Sequence, residues 1–451
     1  MKRKYFGTDG IRGIANTPPM TAEIALKVGM ATGFYFRKKD KDVRDHKVVI
    51  GKDTRISGYM IEPALTAGFV SMGMNVVLVG PMPTPGVAML TRSLRADLGV
   101  MISASHNHYQ DNGIKLFDHI GLKLSDDVEH QIEKIMHKDM HSFLVKPEEL
   151  GRVKRLDDAQ GRYIQHVKSS FPRRQTLAGI KIVLDCANGA AYKIAPAVLW
   201  ELEAEVITIN NNPDGFNINA KCGSTDPKQI AHEVLKHKAD IGIALDGDAD
   251  RVTICDEKGQ VIEGDQILAL IAKYQKEIGE LEGNGIVATS MSNMGLAEYL
   301  ESIDLHLIRT EVGDRYVSKF MRENGYNVGG EQSGHIILRD HATTGDGLIA
   351  ALQVLSVLSC NKKKVSELCQ LFKPYPQLLK SIKYGKKDPL LDNKVAKVIK
   401  AQEKLLGKNG RIVIRKSGTE PLVRIMAEGK NKAQVELVVK EIIKAMENVN
   451  K

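Results

Sequence analysis

The chain has 451 residues, of which 43% are apolar and 26% charged, and 64 Lys and Arg against 55 Asp and Glu give a formal net charge of +9. This length exceeds what one hydrophobic core usually serves, and no apolar run approaches the ~20 residues that cross a bilayer, so we expect several domains and no membrane partner. The basic start Met1–Lys4 is not followed by an apolar stretch, so no export signal is predicted.

The first part of the chain alternates strand-like and helical segments. Thr21 is expected to cap a helix that runs to about Phe36, with Glu23 in its positively polarised first turn. A strand, a helix and two further strands are predicted over residues 47–51, 61–74, 75–79 and 98–102. This alternation predicts a doubly wound α/β domain.

The same alternation starts again twice, and the end of the chain differs. The second round has strands at 181–184 and 241–245, and the third has a strand at 285–289 and a buried helix at 348–358. After the linker Pro374–Pro376, a helix, two strands and a final helix form a small α+β module. The pattern therefore predicts three consecutive doubly wound α/β domains and a C-terminal α+β domain, over residues 1–153, 154–254, 255–370 and 371–451.

The cysteines and the basic charge indicate the compartment and the kind of partner. The five cysteines are widely spread without a CxxC pair, so we expect reduced thiols, no zinc site and a cytoplasmic location. Positive charge favours an anionic partner. Because the lysines concentrate late in the chain and aromatic residues are few, we expect no nucleic acid. The charge by itself favours a solvated basic surface; it also suits a phosphorylated small molecule, and the motifs must decide between them.

A serine-rich loop, Ser103–Asn107, directly follows the predicted strand at 98–102. Ligand sites of open α/β sheets lie beyond the carboxyl ends of strands. We expect the hydroxyl of Ser105 to be exposed there, as a nucleophile or as the carrier of a phosphoryl group. Taken alone, the motif favours the alternative of an ordinary hydrogen-bonded turn.

Three aspartates follow the apolar strand at 241–245, in the segment Asp246-Gly247-Asp248-Ala249-Asp250-Arg251. Alternate residues of an extended segment point the same way, so the three carboxylates should converge. Like charges held together require a cation, and hard oxygen ligands suit magnesium. The alternative, a solvated acidic turn, is weaker because Gly247 and Ala249 provide no shielding side chains.

The segment Arg415–Pro421, together with Arg424, has the composition of a phosphate clamp. Glycine lets backbone amides approach an anion, hydroxyls donate hydrogen bonds, and an arginine binds two oxygens at once. The loops at 7–13, 312–316 and 330–335 are weaker signals, and a carboxylate with a hydroxyl two residues later, as in the last of them, can bind neighbouring sugar hydroxyls.

In this order, the glycine-rich arginine loop, the serine loop, the DxDxD loop, the GExSG loop and the RxSGT loop resemble the α-D-phosphohexomutase family. The resemblance covers the whole chain, with one signature per domain, and implies mixed sheets and domains placed around a central cleft. The opening Phe6–Gly13 and the Gln332 variant resemble the amino-sugar branch more than the phosphomannomutase/phosphoglucomutase branch.

The resemblance also implies roles for individual residues. Ser105 would store the phosphoryl group as phosphoserine and complete the shell of one Mg²⁺ per chain, and Lys115 would handle the proton. The other implied residues are the metal ligands Asp246, Asp248 and Asp250, the charges Arg12, His106 and Arg251 around the phosphoryl group, the sugar contacts Glu331 and Ser333, and the phosphate clamp of Arg415, Ser417, Gly418, Thr419 and Arg424.

The implied reaction interconverts glucosamine 6-phosphate and glucosamine 1-phosphate, and would supply UDP-N-acetylglucosamine for cell-wall synthesis. Its intermediate, glucosamine 1,6-bisphosphate, would also act as activator. The partner is then a phosphorylated amino sugar, while the oligomeric state stays open, a homodimer being one option. Two positions depart from the family pattern, since His108 and Lys416 replace prolines, and proline would pre-set the backbone.

Two rival functions are weighed against this one. In a phosphatase of the haloacid-dehalogenase type, Asp246 would be phosphorylated and Ser105 would be a turn residue. Such enzymes usually have Thr or Val where this chain has Asp250, which disfavours them. A non-catalytic sugar-phosphate or nucleic-acid binding protein is disfavoured because every catalytic position is filled.

Overall fold

The computed structural model describes residues 4–7, 9–39, 45–361, 363–385, 388–416 and 422–450. They form four successive sheets, each with its own helices, so the predicted α/β class with a C-terminal α+β domain is confirmed. We name the four units the first, second, third and fourth domain. The predicted domain bounds stay a prediction, and the strand Val153–Arg155 crosses the first of them while pairing with the first sheet.

The first domain has a seven-stranded mixed sheet in the order β1-β2-β6-β5-β3-β4-β7. Strands β3, β4, β5 and β7 pair in parallel, whereas β1, β2 and β6 pair antiparallel. In chain order its elements are β1 (Phe6–Gly7), β2 (Gly10–Ile14), α1 (Ala22–Lys39), β3 (Lys47–Lys52), α2 (Gly58–Ser71), β4 (Asn75–Pro81), α3 (Thr84–Ser93), β5 (Leu98–Ile102), β6 (Asp111–Asp118), α4 (Asp126–Met136) and β7 (Val153–Arg155).

The second domain has five strands in the order β12-β11-β10-β8-β9, with the apolar strand β10 in the middle. All five residues of β10 are buried, which explains its continuous apolar sequence. Its elements are α5 (Ala159–Ser169), β8 (Lys181–Asp185), α6 (Ile194–Glu201), β9 (Glu205–Ile209), α7 (Lys228–His237), β10 (Ile241–Leu245), β11 (Val252–Asp256) and β12 (Val261–Ile262).

The third domain has four strands in the order β14-β13-β15-β16, and the fourth has three antiparallel strands in the order β17-β19-β18. The third contains α8 (Gly264–Ile278), β13 (Gly285–Thr289), α9 (Met294–Ser302), β14 (His306–Thr310), α10 (Asp314–Asn324), β15 (Val328–Gly330), β16 (Ile336–Leu338), α11 (Gly347–Cys360) and α12 (Val365–Leu368). The fourth contains β17 (Gln377–Lys383), α13 (Asn393–Leu406), β18 (Gly410–Lys416), β19 (Leu422–Gly429) and α14 (Lys432–Asn450).

The first three domains share one apolar core, whereas the fourth has a core of its own. One buried cluster runs without a break from Val49 of the first domain through Ile243 of the second to Leu352 of the third. The fourth domain has a separate core that includes Ile425 and Val438. The five cysteines are free thiols, as predicted. Among the described residues, none of the helices combines the length and the apolar character needed to cross a bilayer.

Candidate active site

The serine loop and the aspartate loop meet where β5 and β10 end. The hydroxyl of Ser105 donates a hydrogen bond to the carboxylate of Asp246, with an oxygen–oxygen distance of 2.7 Å. Ser105 is only 1% exposed, so the exposure predicted from the sequence is wrong. The reason is tertiary: the second domain covers the loop, and a Cβ at Gly247 would lie only 2.7 Å from the carbonyl oxygen of Ser105.

The backbone of Ser105 has an uncommon conformation. Its φ of 52° lies in the left-handed region, which disfavours residues with a side chain. Its amide donates to the hydroxyl of Ser103 at 2.9 Å, and that hydroxyl donates to the buried carboxylate of Asp53 at 2.6 Å. These bonds hold the hydroxyl of Ser105 toward the aspartate loop.

The three aspartates converge as predicted. All three are buried, and one carboxylate oxygen of each lies within 4.8 Å of the others. One oxygen of Asp248 and one of Asp250 are buried without a hydrogen-bond partner. Burial, then Asp250 and Asp248, raise the pKa of Asp246 well above its usual value. Three buried carboxylates, two of them with an unpartnered oxygen, are a ligand set that fits a divalent metal ion.

Lys115 holds the other side of this carboxylate cluster. Its ammonium lies 2.7 Å from Asp248 and 3.3 Å from Asp250, and 3.7 Å from Asp9 of the N-terminal loop. Burial alone would lower the pKa of Lys115, but the carboxylates of Asp248, Asp9 and Asp250 outweigh it and raise that pKa. The lysine is therefore protonated at neutral pH.

His106 lies beside the hydroxyl of Ser105, and the predicted charges Arg251 and Arg12 are near enough to His106 to affect its pKa. The Nδ1 of His106 lies 3.5 Å from that hydroxyl, and burial, Arg251 and Arg12 lower the pKa of His106 to about 4, so this imidazole is neutral at pH 7. The amide of Arg251 donates to Asp246 at 3.2 Å. Arg12 pairs with Asp9.

The predicted sugar contacts and the phosphate clamp lie on the third and fourth domains. The Ser333 hydroxyl is exposed and lies 3.4 Å from the carboxylate of Glu331. Arg415 and Arg424 are direct cross-strand partners on β18 and β19. Burial and Arg424 lower the pKa of Arg415, and Glu331 opposes them, so these three charges are close enough to interact. Ser417, Gly418 and Thr419 lie outside the described residues.

Lys416, which stands where the family usually has proline, forms an ion pair within its own domain. Lys416 pairs with Asp388 of the fourth domain, so its ammonium has a partner away from the arginine pair.

Several residues of the site were not singled out from the sequence. His335 is buried, with its ring nitrogens 3.7 Å from Asp250 and 3.4 Å from Asp314. Asp314 also accepts a bond from Lys123 at 2.6 Å, which links the third domain to the first. Thr84 donates to Asp248 at 2.5 Å. His335 and Asp314 lie in the loops at 330–335 and 312–316, which were weak signals in the sequence, whereas the roles of Lys123 and Thr84 depend on pairing between domains.

Family models cover all four domains. Models described as phosphoglucomutase/phosphomannomutase alpha/beta/alpha domains I, II and III and C-terminal domain match residues 3–142, 161–259, 263–375 and 379–445. The chain belongs to this family. The resemblance inferred from the sequence motifs is thereby confirmed.

Relatives within the phosphoglucomutase/phosphomannomutase family share the full length of the chain. The phosphoglucosamine mutase of Parvibaculum lavamentivorans is 63% identical over 448 residues, covering 99% of both chains. That of Phenylobacterium zucineum is 60% identical over 448 residues, again with 99% of both chains covered. A family member from Burkholderia thailandensis has a similar fold, with a TM-score of 0.82 at 22% identity over 98% of this chain and 97% of that one.

A more distant fold relative is the N-acetylphosphoglucosamine mutase of Aspergillus fumigatus, solved with GlcNAc-6P and magnesium. It has a TM-score of 0.69 at 17% identity, with 100% of this chain and 96% of that chain covered.

Proposed function

We propose that this chain interconverts glucosamine 6-phosphate and glucosamine 1-phosphate through a phosphorylated Ser105. The observation that carries the proposal is the hydroxyl of Ser105, held 2.7 Å from Asp246 at the edge of a buried carboxylate triad. Full-length relatives named phosphoglucosamine mutase, at 56–63% identity, support the choice of sugar. The mannose and glucose alternatives, and the aspartate-nucleophile phosphatase, are not favoured.

The reaction consists of two phosphoryl transfers. In the first, the bond between phosphorus and the Ser105 oxygen breaks while a bond forms to the O1 hydroxyl of glucosamine 6-phosphate, whose proton is released. The bisphosphate then turns around, and in the second transfer the serine takes the phosphoryl group from O6, which regains a proton. Such transfers depend on in-line positioning and on neutralisation of charge.

The residues around Ser105 supply these two requirements. The guanidinium groups of Arg12 and Arg251 and the ammonium of Lys115 offset the charge of the phosphoryl oxygens. Lys115 is a buried lysine that is protonated at rest, so we assign it to donate its proton to the departing oxygen and, in the same transfer, to take up the proton that the attacking hydroxyl releases. His106 is neutral, so we assign it hydrogen bonding and not charge. The burial of Ser105 keeps water from the phosphoserine.

Asp246, Asp248 and Asp250 would hold one Mg²⁺, with a phosphoserine oxygen completing the set. When bound, the ion would offset the negative charge that builds up on the transferring group. The Aspergillus fumigatus enzyme of the same fold was solved with magnesium, which supports this choice of metal. We assign glucosamine 1,6-bisphosphate as the intermediate and also as the activator, since it can phosphorylate Ser105 again after the serine has lost its phosphate.

Glu331 and Ser333 are our candidates for sugar recognition, and the paired Arg415 and Arg424 for the phosphate that does not react. A carboxylate would favour the ammonium of the amino sugar over a neutral hydroxyl, because charge-assisted bonds are about twice as strong as neutral ones. Free thiols support a cytoplasmic location. A homodimer stays a prediction.

The test is a comparison of kcat/KM for glucosamine 6-phosphate, glucose phosphates and mannose phosphates, with Mg²⁺ and a trace of the matching bisphosphate. We expect the amino sugar to be preferred by about tenfold or more. Intact-mass measurement should find one added phosphate, lost in Ser105→Ala. Higher efficiency with a neutral sugar would overturn the glucosamine assignment, and phosphate on Asp246 would overturn the phosphoserine.

A further inference from the structure

The backbone of the serine loop is held by one buried arginine. Arg55, which follows β3, is 2% exposed and pairs with Asp53 through its Nε at 2.8 Å. Its terminal nitrogens donate to the main-chain carbonyls of Ser105 at 2.9 Å, of Asn107 at 2.7 Å and of Asp111 at 3.0 Å, and also to that of His108. A single guanidinium thus binds four carbonyl oxygens between Ser105 and the start of β6 at Asp111.

The second domain binds two of the same carbonyls. The side-chain amide of Asn219, 3% exposed, donates to the carbonyl oxygens of Ser105 and Asn107, both at 2.9 Å. The carbonyl of Ser105 therefore receives one bond from Arg55 of its own domain and one from Asn219 of the other. We call these two side chains the carbonyl clamp.

The loop requires such support for two reasons. Ser105 has a φ of 52°, a conformation that is disfavoured for a residue with a side chain. The position where the family usually has proline is His108, so ring closure does not fix the backbone there. Without the clamp, the loop can relax to a more common conformation, which would turn the Ser105 hydroxyl away from Asp246.

We propose that Arg55 and Asn219 are positioning residues that set the direction of the Ser105 hydroxyl. Because Asn219 belongs to the second domain, this direction depends on how the second domain packs against the first. The proposal rests on the proposed phosphoserine mechanism. Arg55 acts through the loop backbone, with all its described bonds going to Asp53 and to loop carbonyls, and Asn219 bonds the same carbonyls. Loss of the clamp should slow transfer while sugar binding, carried by the third and fourth domains, is retained.

Two substitutions with matched controls test the clamp. Asn219→Ser removes both clamp bonds that come from the second domain. Its control is Asn327→Ser in the third domain, because Asn327 is also buried and donates to the carbonyl of Glu280, distant in sequence, at 2.8 Å. Arg55→Lys keeps the charge beside Asp53, and Arg37→Lys is its control, since Arg37 donates to the carbonyl of Met72 at 2.9 Å.

We expect kcat for glucosamine 6-phosphate to fall by about 10-fold in Asn219→Ser and about 100-fold in Arg55→Lys, with KM unchanged within about twofold. The phosphoserine, followed by intact mass, should lose its phosphate to water several-fold faster in both. The controls should keep the kcat and the phosphoserine lifetime of the wild type, even where their thermal midpoints fall.

Each outcome decides one of the two proposals. A wild-type protein without turnover of any hexose phosphate would overturn the proposed function itself. An active wild type with unchanged kcat in Asn219→Ser would overturn the clamp, whether or not Arg55→Lys folds. If the control variants lose as much kcat as the clamp variants at an equal loss of stability, the role of Arg55 and Asn219 is only structural. This result too would overturn the proposed clamp.

Discussion

The proposed phosphoryl-transfer site and the proposed phosphate clamp are built in different ways. The transfer site lies within the unit whose apolar core is continuous over three domains, and its carboxylates and Lys115 are buried, with 2.7 Å between Lys115 and Asp248. The arginine pair of the phosphate clamp lies on the fourth domain, which has a core of its own. The difference indicates that chemistry and phosphate binding can be altered separately.

The junction of the fourth domain with the third is polar. Arg411 donates to the carbonyl of Ser292 at 2.6 Å and pairs with the buried Glu428. Gln377 donates to the carbonyl of Met291 at 3.0 Å, and Asn293 donates to that of Tyr375 at 3.0 Å. Interfaces made of such contacts allow relative movement of domains more readily than a shared apolar core.

The largest effect should come from the nucleophile. Ser105→Ala removes one hydroxyl from a buried loop, so turnover should fall by at least about 10⁴-fold while the thermal midpoint stays close to that of the wild type. Ser170→Ala, which removes a buried hydroxyl bonded within a helix terminus, is the control and should stay active. Near-normal turnover in Ser105→Ala would contradict the phosphoserine.

The metal ligands come next. Asp248→Asn should weaken Mg²⁺ binding by about 100-fold in calorimetry and reduce kcat similarly, since the amide removes one negative charge from the triad. Asp118→Asn is the control, because Asp118 accepts two backbone amides at the end of β6 without facing the triad. Full activity in excess chelator would be evidence against a metal in this site.

The next effect is smaller and concerns how stability depends on pH at the polar junction between the third and fourth domains. Burial raises the pKa of Asp265 to about 6, and its carboxylate accepts the amide of Asn293 at 2.7 Å. The folded state then binds a proton more tightly than the unfolded state, so this group lowers stability as pH rises from about 4 to about 6, by about 3 kcal/mol in total.

Asp265→Asn should remove this dependence, so its free energy of unfolding relative to the wild type should increase between pH 4 and pH 7 in urea titrations. The exposed Asp240→Asn should leave the dependence unchanged. Parallel pH profiles for the wild type and Asp265→Asn would contradict the raised pKa.

The smallest effect should come from loosening the junction itself. Arg411→Met removes the bonds to Ser292 and Glu428, so the phosphate clamp should be held less firmly and KM for the sugar phosphate should rise about tenfold, with kcat changed by less than about threefold. The exposed Arg322→Met is the control. A fall in kcat at constant KM would contradict the claim that chemistry and phosphate binding can be altered separately.

Motifs that lie within one segment were predictable from the sequence. The convergence of Asp246, Asp248 and Asp250 follows from their alternation in one extended loop, and the serine loop follows from the end of a parallel strand. Several strands were not predicted, and β6 and β17 are two of the longest among them. All but the terminal residues of β6 are buried, and β17 has a mostly exposed pattern, so neither alternates regularly.

Local patterns were sufficient to predict the four-domain α/β organisation, because strand and helix periods are local properties, and loop composition was sufficient to propose a role for each loop. The burial of Ser105, the bonds of Lys115 and Thr84 to Asp248 of another domain, and the sharing of the Ser105 carbonyl by Arg55 and Asn219 became apparent only in the folded chain. These contacts join residues more than 50 positions apart, except within the pair of Arg55 and Ser105, where the separation is 50. Their partners depend on how whole domains pack and, for Arg55 and Ser105, on the pairing of β3 with β5, neither of which a local pattern encodes.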